Sequence, residues 1–220
     1  MRLRNIAGSK ELITQSRYYV TGPEQYRGKW NRYFQNVNPI PSMNFIHIEI
    51  GMGKGQFITE MAKRHPEIYY IGIEMYSSVL CRAVKKLERI APMLGNLALL
   101  RMDARDLAAV FGKGEVGRIY LNFSDPWPKE RHAKRRMIHR NFLRIYDEIL
   151  MADGGIEFKT DNEDLFHFAL AEREAAGWKL DKVSYDLHSD NEMMRENVFT
   201  EYEEKFSALG NPIFKYVISR

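Results

Sequence analysis

Residues Phe123–Arg136 place an acid, a rigid aromatic corner and a run of cations in one stretch, Phe-Ser-Asp-Pro-Trp-Pro-Lys-Glu-Arg-His-Ala-Lys-Arg-Arg. Prolines on both sides of Trp127 predict a stiff, non-helical loop that holds the indole ring in place. An aromatic ring beside the Asp125 carboxylate suits a planar substrate with hydrogen-bonding edges, such as a nucleic-acid base. Asp125 is therefore a candidate catalytic residue; the alternative is that the loop is simply a packed corner.

The segment that follows this loop is strongly basic. Seven cations stand against the single acid Glu130, and they are Lys129, Arg131, Lys134, Arg135, Arg136, Arg140 and Arg144. Lysine and arginine contacts to phosphates supply much of the affinity for nucleic acids and position the protein on them. A basic segment beside a candidate catalytic loop therefore predicts contact with the phosphates of a polynucleotide.

A second group of candidate residues begins at the segment Glu49-Ile-Gly-Met-Gly-Lys-Gly55, which follows a strand-like apolar run. Its glycines allow a tight turn and close approach to a ligand, and the helix predicted after them offers free N–H groups. The spacing is typical of loops that bind dinucleotides or S-adenosylmethionine. It lacks the Gly-Lys-Ser/Thr ending of a phosphate-binding loop, which disfavours an NTPase.

Acids stand at the ends of the first three predicted strands. Glu74 is placed where a carboxylate can accept both ribose hydroxyls, and Asp103 where one can accept from an adenine amino group. Glu49 can order the glycine loop or face a positive charge of the cofactor. Three acids on three successive strand ends strengthen the prediction of a nucleoside-containing cofactor.

The elements that position these groups begin at residue 45, where short apolar runs alternate with helical stretches. Strands are predicted over Phe45–Ile50, Tyr69–Ile73, Leu97–Met102, Arg118–Phe123, Gly155–Lys159, Lys179–Tyr185 and Ile213–Ile218. Helices are predicted over Gln56–Arg64, Ser77–Ile90, Leu107–Phe111, Met137–Leu150 and Leu165–Ala176. The alternation predicts an α/β fold with a mostly parallel seven-stranded sheet, helices on both faces and an antiparallel edge strand.

Composition bounds the class of protein. A chain of 220 residues with 45% apolar and 28% charged residues suits one soluble domain, and a net charge of +4 is compatible with a polyanionic partner. Residues 1–44 are predicted to form a basic N-terminal arm or helix, and residues 45–220 the main domain.

The same sequence predicts a cytoplasmic protein. No signal peptide or membrane-spanning run is recognisable, and the single cysteine, Cys81, is read as a small buried residue in a reducing compartment. The six histidines show no metal-ligand spacing, so no metal site is predicted. The sequence does not decide between a monomer and a homodimer.

At these motifs the sequence closely resembles the bacterial tRNA (guanine-N7-)-methyltransferase family. The resemblance covers residues 45–220 and rests on Glu49–Gly55, Phe123–Arg136, Phe158-Lys-Thr-Asp161 and Thr200-Glu-Tyr-Glu203. It implies a Rossmann-like class I methyltransferase fold with S-adenosylmethionine as the cofactor. It also implies methylation at N7 of the guanosine at position 46, in the variable loop of tRNA.

The resemblance implies roles for individual residues as well. The expected cofactor contacts are Glu49, Gly51, Gly53, Gly55, Glu74, Asp103 and Asp125, the last also being catalytic. The expected substrate contacts are Lys129, Asp161, Thr200, Glu201, Tyr202 and Glu203. The expected RNA contacts are Arg131, His132, Ala133, Lys134, Arg135 and Arg136.

The chemistry of guanine narrows the role of Asp125. N7 is a lone-pair acceptor without a proton, so no base is needed to create the nucleophile, and the methylated ring is cationic. We therefore expect Asp125 to orient the base and stabilise developing positive charge, with Asp161 or Glu203 sharing this role. The acidic segment Asp186–Glu204 either folds over the site or is mostly a solvated loop in which only Thr200–Glu203 matter.

Three alternatives remain open at this level. An NAD-dependent oxidoreductase shares the fold and the acid after the second strand, but leaves the basic segment unexplained. A non-catalytic RNA-binding module would retain the fold without methyl transfer. A methyltransferase acting on another RNA differs only in its product.

Overall fold

The computed structural model describes residues 6–37, 39, 45–207 and 210–220. Seven strands form one sheet, namely β1 (Ile46–Ile50), β2 (Tyr69–Ile73), β3 (Leu97–Leu100), β4 (Val116–Asn122), β5 (Leu150–Thr160), β6 (Lys179–Ser184) and β7 (Phe214–Ser219). Their order is β3-β2-β1-β4-β5-β7-β6. Neighbouring strands from β3 to β5 are parallel, whereas β7 is antiparallel to both β5 and β6. The predicted mostly parallel sheet with its antiparallel edge is therefore confirmed.

Helices lie on both faces of this sheet. They are α1 (Ser9–Thr14), α2 (Trp30–Val37), α3 (Gln56–Arg64), α4 (Ser77–Leu87), α5 (Leu107–Val110), α6 (Arg140–Ile149), α7 (Glu163–Ala175), α8 (Asn191–Arg195) and α9 (Glu201–Ser207). Apolar residues of α2, α5, α6 and α7 share one buried cluster with the sheet, and those of α1, α3 and α4 share the other. Strand β2 is buried along its whole length because it is covered on both faces.

The N-terminal residues that the structure describes pack against the main domain. Trp30 is fully buried, and its ring stacks on Phe111 at 5.7 Å between centroids. The Trp30 indole N–H also donates to the Val110 carbonyl at 3.0 Å. The rest of the predicted arm, residues 1–5, 38 and 40–44, lies outside the described part of the chain.

Most predicted boundaries differ from the observed ones by one to a few residues, and β5 begins at Leu150 instead of Gly155. Two of these differences have a cause that the structure shows. The helix predicted from Met137 begins at Arg140, because the His139 ring nitrogen Nδ1 caps the helix by accepting from the Asn141 amide at 3.1 Å. The strand predicted to end at Phe123 ends one residue earlier, at Asn122, because Phe123 turns into the left-handed region with φ 51°.

Candidate active site

The glycine loop lies between the end of β1 and the start of α3. Gly51, Gly53 and Gly55 have φ of 76°, 58° and 77°, a region that residues with a side chain rarely adopt. A methyl group added to Gly51 or Gly53 would meet nothing within 4 Å. The first two glycines are therefore needed for backbone shape, and the loop borders open space at the carboxyl edge of the sheet.

Glu49 is buried at the end of β1, with 2% of its surface exposed. One carboxylate oxygen, Oε1, accepts from the Asn122 side-chain amide at 2.9 Å. Among the described residues the other oxygen, Oε2, has no hydrogen-bond partner. Burial raises the pKa of Glu49 to about 7, against the opposing effects of the Asn122 hydrogen bond and the Lys159 charge. The site therefore holds a buried carboxylate with unused capacity to face a cation.

Glu74 connects the end of β2 to the glycine loop. Its carboxylate accepts from the backbone amides of Gly53, at 3.3 Å, and Tyr76, at 2.9 Å. Burial raises its pKa despite these bonds, and the nearby charge of Asp125 adds to the rise. Glu49, Glu74 and Asp125 therefore meet at one edge of the sheet, where the sequence predicts a common site.

Asp103 lies at the end of the next strand, but its carboxylate is engaged. Both oxygens accept from the Arg105 guanidinium, at 3.0 and 2.6 Å, and Oδ1 also accepts from the Arg105 amide. These bonds lower the pKa of Asp103. The Arg105 side chain is 75% exposed, so this surface pair is weak and a ligand can displace it.

The Asp125 loop is held in shape by the basic segment that follows it. The Arg136 guanidinium donates to the carbonyl oxygens of Pro126 and Trp127 at 3.0 and 3.2 Å. Trp127 has a φ of 42°, and the Arg135 guanidinium lies 4.9 Å from its ring centroid. A strained aromatic residue fixed in this way is a feature of functional loops. Asp125 itself is exposed.

The predicted RNA-contacting segment consequently divides into two kinds of residue. Glu130–Arg135 forms a short 3-10 helix in which Arg131, Lys134 and Arg135 are exposed. Arg136 is half-buried and occupied with the loop carbonyls, while its guanidinium also lies 4.2 Å from the Phe168 ring centroid. Arg131, Lys134 and Arg135 therefore face solvent, whereas Arg136 supports the Asp125 loop.

Helix α9 spans the candidate site. At its start, Glu201 pairs with Lys54 of the glycine loop at 3.4 Å and with Lys86 of α4 at 2.6 Å. Next to it, the Tyr202 hydroxyl donates to Asp161 at 3.0 Å. The acidic segment thus folds over the site, and α9 joins the predicted cofactor edge to the end of β5.

Two further aromatic and capping contacts fix α9. The Tyr202 ring lies 4.9 Å from that of Phe123, which begins the Asp125 loop. The Thr200 hydroxyl accepts from the Glu203 amide at 2.9 Å and so caps the helix. Within the predicted substrate-binding set, Asp161, Thr200, Glu201 and Tyr202 therefore lie together.

Glu203 occupies a different environment from its neighbours. It is fully buried and pairs with Lys159, whose Nζ lies 2.6 Å from its carboxylate. Lys159 is a residue to which the sequence interpretation assigns no role. The signal for it is a lysine between Phe158 and Thr160 near the end of an interior strand, Ile156-Glu-Phe-Lys-Thr160.

The described residues offer neither a metal centre nor a membrane-spanning helix. No group of three or more His, Cys, Asp and Glu side chains is placed there to hold a metal ion. None of the helices in the described part of the chain is long and apolar enough to span a bilayer.

Known proteins that are similar to this chain are methyltransferases. Residues 43–216 match the protein family described as a putative methyltransferase. The tRNA (guanine-N(7)-)-methyltransferase of Lachnoclostridium phytofermentans is 54% identical over 220 residues, which cover 100% of this chain and 99% of that protein. The tRNA (guanine-N(7)-)-methyltransferase of Bacillus subtilis is 47% identical over 216 residues, 98% of this chain and 97% of that protein.

Solved structures show the same fold at much lower identity. The 16S rRNA methyltransferase KamB superposes with a TM-score of 0.63 at 13% identity, over 88% of this chain and 94% of that chain. A SAM-dependent methyltransferase from Aquifex aeolicus gives a TM-score of 0.56 at 14% identity, over 98% of each chain. The predicted Rossmann-like class I methyltransferase fold is confirmed, and by the match of its whole length the chain belongs to the tRNA (guanine-N(7)-)-methyltransferase family.

Proposed function

We propose that this protein transfers a methyl group from S-adenosylmethionine to N7 of a guanosine in tRNA, at position 46 in the variable loop. The observation that carries the proposal is the position of the Asp125 loop. It lies between a buried acidic cofactor edge and a set of exposed cations, and α9 closes over it. Family membership supports both the methyl donor and the tRNA substrate.

The residues at the cofactor edge fit S-adenosylmethionine. When bound, this cofactor supplies an electrophilic methyl group on a positively charged sulfur. The free buried oxygen of Glu49 offers a counter-charge, and the Glu74 carboxylate offers acceptors for hydroxyl groups. The open space beside Gly51 and Gly53 admits a ligand against the backbone.

Asp125 acts on the base in this proposal. Guanine N7 attacks through its own lone pair, so no residue has to remove a proton to create the nucleophile. Asp125 accepts hydrogen bonds from the donors of the Watson–Crick edge, which orients N7 and stabilises the positive charge that develops on the ring. In the same proposal Asp161 and Tyr202 hold the other side of the base; the hydrogen bond between them, which joins the end of β5 to α9, supports this role.

The exposed cations hold the RNA. Lys129, Arg131, Lys134 and Arg135 are exposed around the Asp125 loop, where they can contact phosphates on either side of the target nucleotide. An NAD-dependent oxidoreductase would have no use for such a surface. A cytoplasmic location follows from a tRNA substrate and is part of the same proposal.

The test is a product map. Unmodified tRNA is incubated with the protein and labelled S-adenosylmethionine, and N7-methylguanosine is located by borohydride reduction and aniline cleavage. We expect cleavage at position 46 only; label in another base or another RNA would refute the proposal.

A pair of variants then tests the proposed role of Asp125. Asp125→Asn should lower the single-turnover rate at saturating tRNA by roughly 100-fold or more, because a positioned charge is lost from the transition state. Asp164→Asn, an exposed acid at the start of α7, is the matched control and should leave the rate unchanged. Near-normal methylation by Asp125→Asn would show that Asp125 is not catalytic.

A further inference from the structure

Lys159 places an ammonium group inside the protein at the end of β5. The residue is 2% exposed. Its Nζ donates to the carboxylate of Glu203 at 2.6 Å, to the side-chain oxygen of Asn197 at 3.0 Å and to the carbonyl of Val198 at 2.9 Å. All three acceptors belong to the segment between β6 and β7, so one strand residue holds a segment that is distant in sequence.

The acceptor side of this pair is equally well bonded. Glu203 is fully buried, and besides Lys159 it accepts from the Asn197 side-chain amide at 2.8 Å. His188 Nε2 lies 3.1 Å from Oε1, the oxygen that also accepts from Asn197, whereas Lys159 donates to Oε2. Loss of either partner of a buried ion pair is strongly destabilising, because it leaves an uncompensated buried charge.

Apolar packing beneath the same segment is sparse. Within the described residues, Val198 joins the large cluster that contains α1, α3 and α4, whereas Leu187, Met193 and Ile213 form a small cluster of their own. A cavity of about 430 Å³, lined partly by polar and charged groups of the sheet, lies below residues 195–198. Because little apolar surface supports the segment, its position depends strongly on the Lys159 network.

That position determines which residues of α9 face the candidate active site. With Glu203 turned inward to Lys159, the preceding Tyr202 reaches Asp161 and the Phe123 ring. Glu201 at the same time reaches Lys54 in the glycine loop. A rotation of α9 that released Glu203 would move all three contacts.

We infer that Lys159 is a positioning residue for methyl transfer: by holding Glu203, Asn197 and the Val198 carbonyl, it sets α9 so that Tyr202 and Asp161 can receive the target base. The inference rests on the proposed function for the identity of that base. Lys159 touches neither substrate nor cofactor in this role and acts only through α9.

The chain offers a matched control for the test. Lys215 on β7 is the direct register partner of Lys159, is 6% exposed, and pairs with Glu157 at 2.9 Å. It makes a buried ion pair within the sheet but not with α9. Lys159→Met and Lys215→Met therefore remove equivalent charges from one sheet and differ in what those charges hold.

Both variants are compared with the wild type for kcat and KM with tRNA, for S-adenosylmethionine affinity without tRNA, and for Tm. We expect Lys159→Met to lower kcat/KM for tRNA by roughly 30-fold while cofactor affinity stays within about threefold. Lys215→Met should lose thermal stability but keep kcat/KM within about threefold. An equal loss of kcat/KM in both variants, or none in Lys159→Met, would overturn the inference.

Further variants and a hydrogen-exchange measurement keep the test decisive if Lys159→Met does not fold or if tRNA is not the substrate. Lys159→Arg keeps the charge and should have most of the wild-type activity. If Lys159→Met does not fold, Glu203→Gln is used in its place, because it removes the charge of the partner and keeps its shape. The same changes in kcat/KM and cofactor affinity are expected of it. Hydrogen exchange without tRNA should show faster exchange of residues 197–207 in Lys159→Met than in Lys215→Met. This measurement needs no substrate. If the protection of α9 is the same in Lys159→Met as in Lys215→Met, the inference is refuted whether or not tRNA is methylated.

Discussion

Replacing Glu49 by glutamine should make the cofactor-free protein more stable at alkaline pH. Folding raises the pKa of Glu49 from its ordinary value of 4.5 to about 7 because the carboxylate is buried. Between these values the folded chain keeps a proton that the unfolded chain has released, so Glu49 makes stability fall as pH rises through this window. The difference corresponds to about 3 kcal/mol of unfolding free energy. Glutamine has nearly the same shape and no charge, so the variant escapes this loss.

The measurement is thermal unfolding of both proteins without cofactor at pH 5 and pH 8. We expect similar Tm values for the two proteins at pH 5 and a Tm for Glu49→Gln that is higher by roughly 6–12 °C at pH 8. Cofactor binding should change in the opposite direction, because the ionised carboxylate is the proposed counter-charge for a cationic ligand. In calorimetry, S-adenosylmethionine affinity of the wild type should rise between pH 6 and pH 8, and that of the variant should stay flat and weaker.

A second acid, whose pKa is shifted in the opposite direction, provides the control. Glu172 is also buried, but hydrogen bonds from Arg140 lower its pKa, so its ionised form stabilises the fold at neutral pH. Glu172→Gln should therefore be less stable than the wild type at pH 8. The reasoning about Glu49 is refuted if Glu49→Gln is also destabilised at pH 8, since burial of the charge would then cost little.

Three further predictions concern the rest of the site. Arg136→Met removes the guanidinium that bonds two carbonyls of the Asp125 loop, and so loosens the loop. We expect kcat to fall by roughly 10- to 100-fold with S-adenosylmethionine affinity unchanged, because Asp125 is no longer held in position. Single-turnover kinetics and calorimetry measure these two quantities. Replacing the exposed Arg131 and Lys134 by glutamine should weaken tRNA binding and reduce the slope of log K against log salt by roughly one per charge, and an unchanged slope would show that they meet no phosphate. His47 should titrate with a pKa of about 4 in NMR, because burial and the Arg118 charge disfavour its imidazolium form.

The sequence predicts the strand, glycine loop and helix at the proposed cofactor edge well, because their signals are local. The segment from β1 through the glycine loop to α3 combines an apolar run, glycines and a helical pattern, and α3 spans the predicted residues Gln56–Arg64. Glu49 and Glu74 are likewise placed by the strands that end at them. Rules of strand order then bring separate strand ends to one edge without any knowledge of contacts.

Helices α8 and α9, which lie in the segment over the site, could not be predicted in the same way. Helices α8 and α9 are short, five and seven residues, and their sequence is too polar to show an apolar face. Glu203 stands in an acidic run, where a charged residue is normally solvated, and its partner Lys159 is 44 residues away. Its burial follows from a long-range pair that periodicity does not reveal.

The position of β7 has a consequence for the order in which the enzyme is built. Although β7 is the last of the seven strands along the chain, it lies between β5 and β6 in the sheet. A nascent chain that has emerged only to residue 213 offers β6 no strand to pair with, and the segment carrying α9 has no fixed second end. The strands β1–β4 behind the cofactor edge are complete long before that point, and domains tend to fold as their segments emerge. During synthesis we therefore expect the proposed methyl-donor pocket to form first, and the proposed tRNA-binding surface to be completed last.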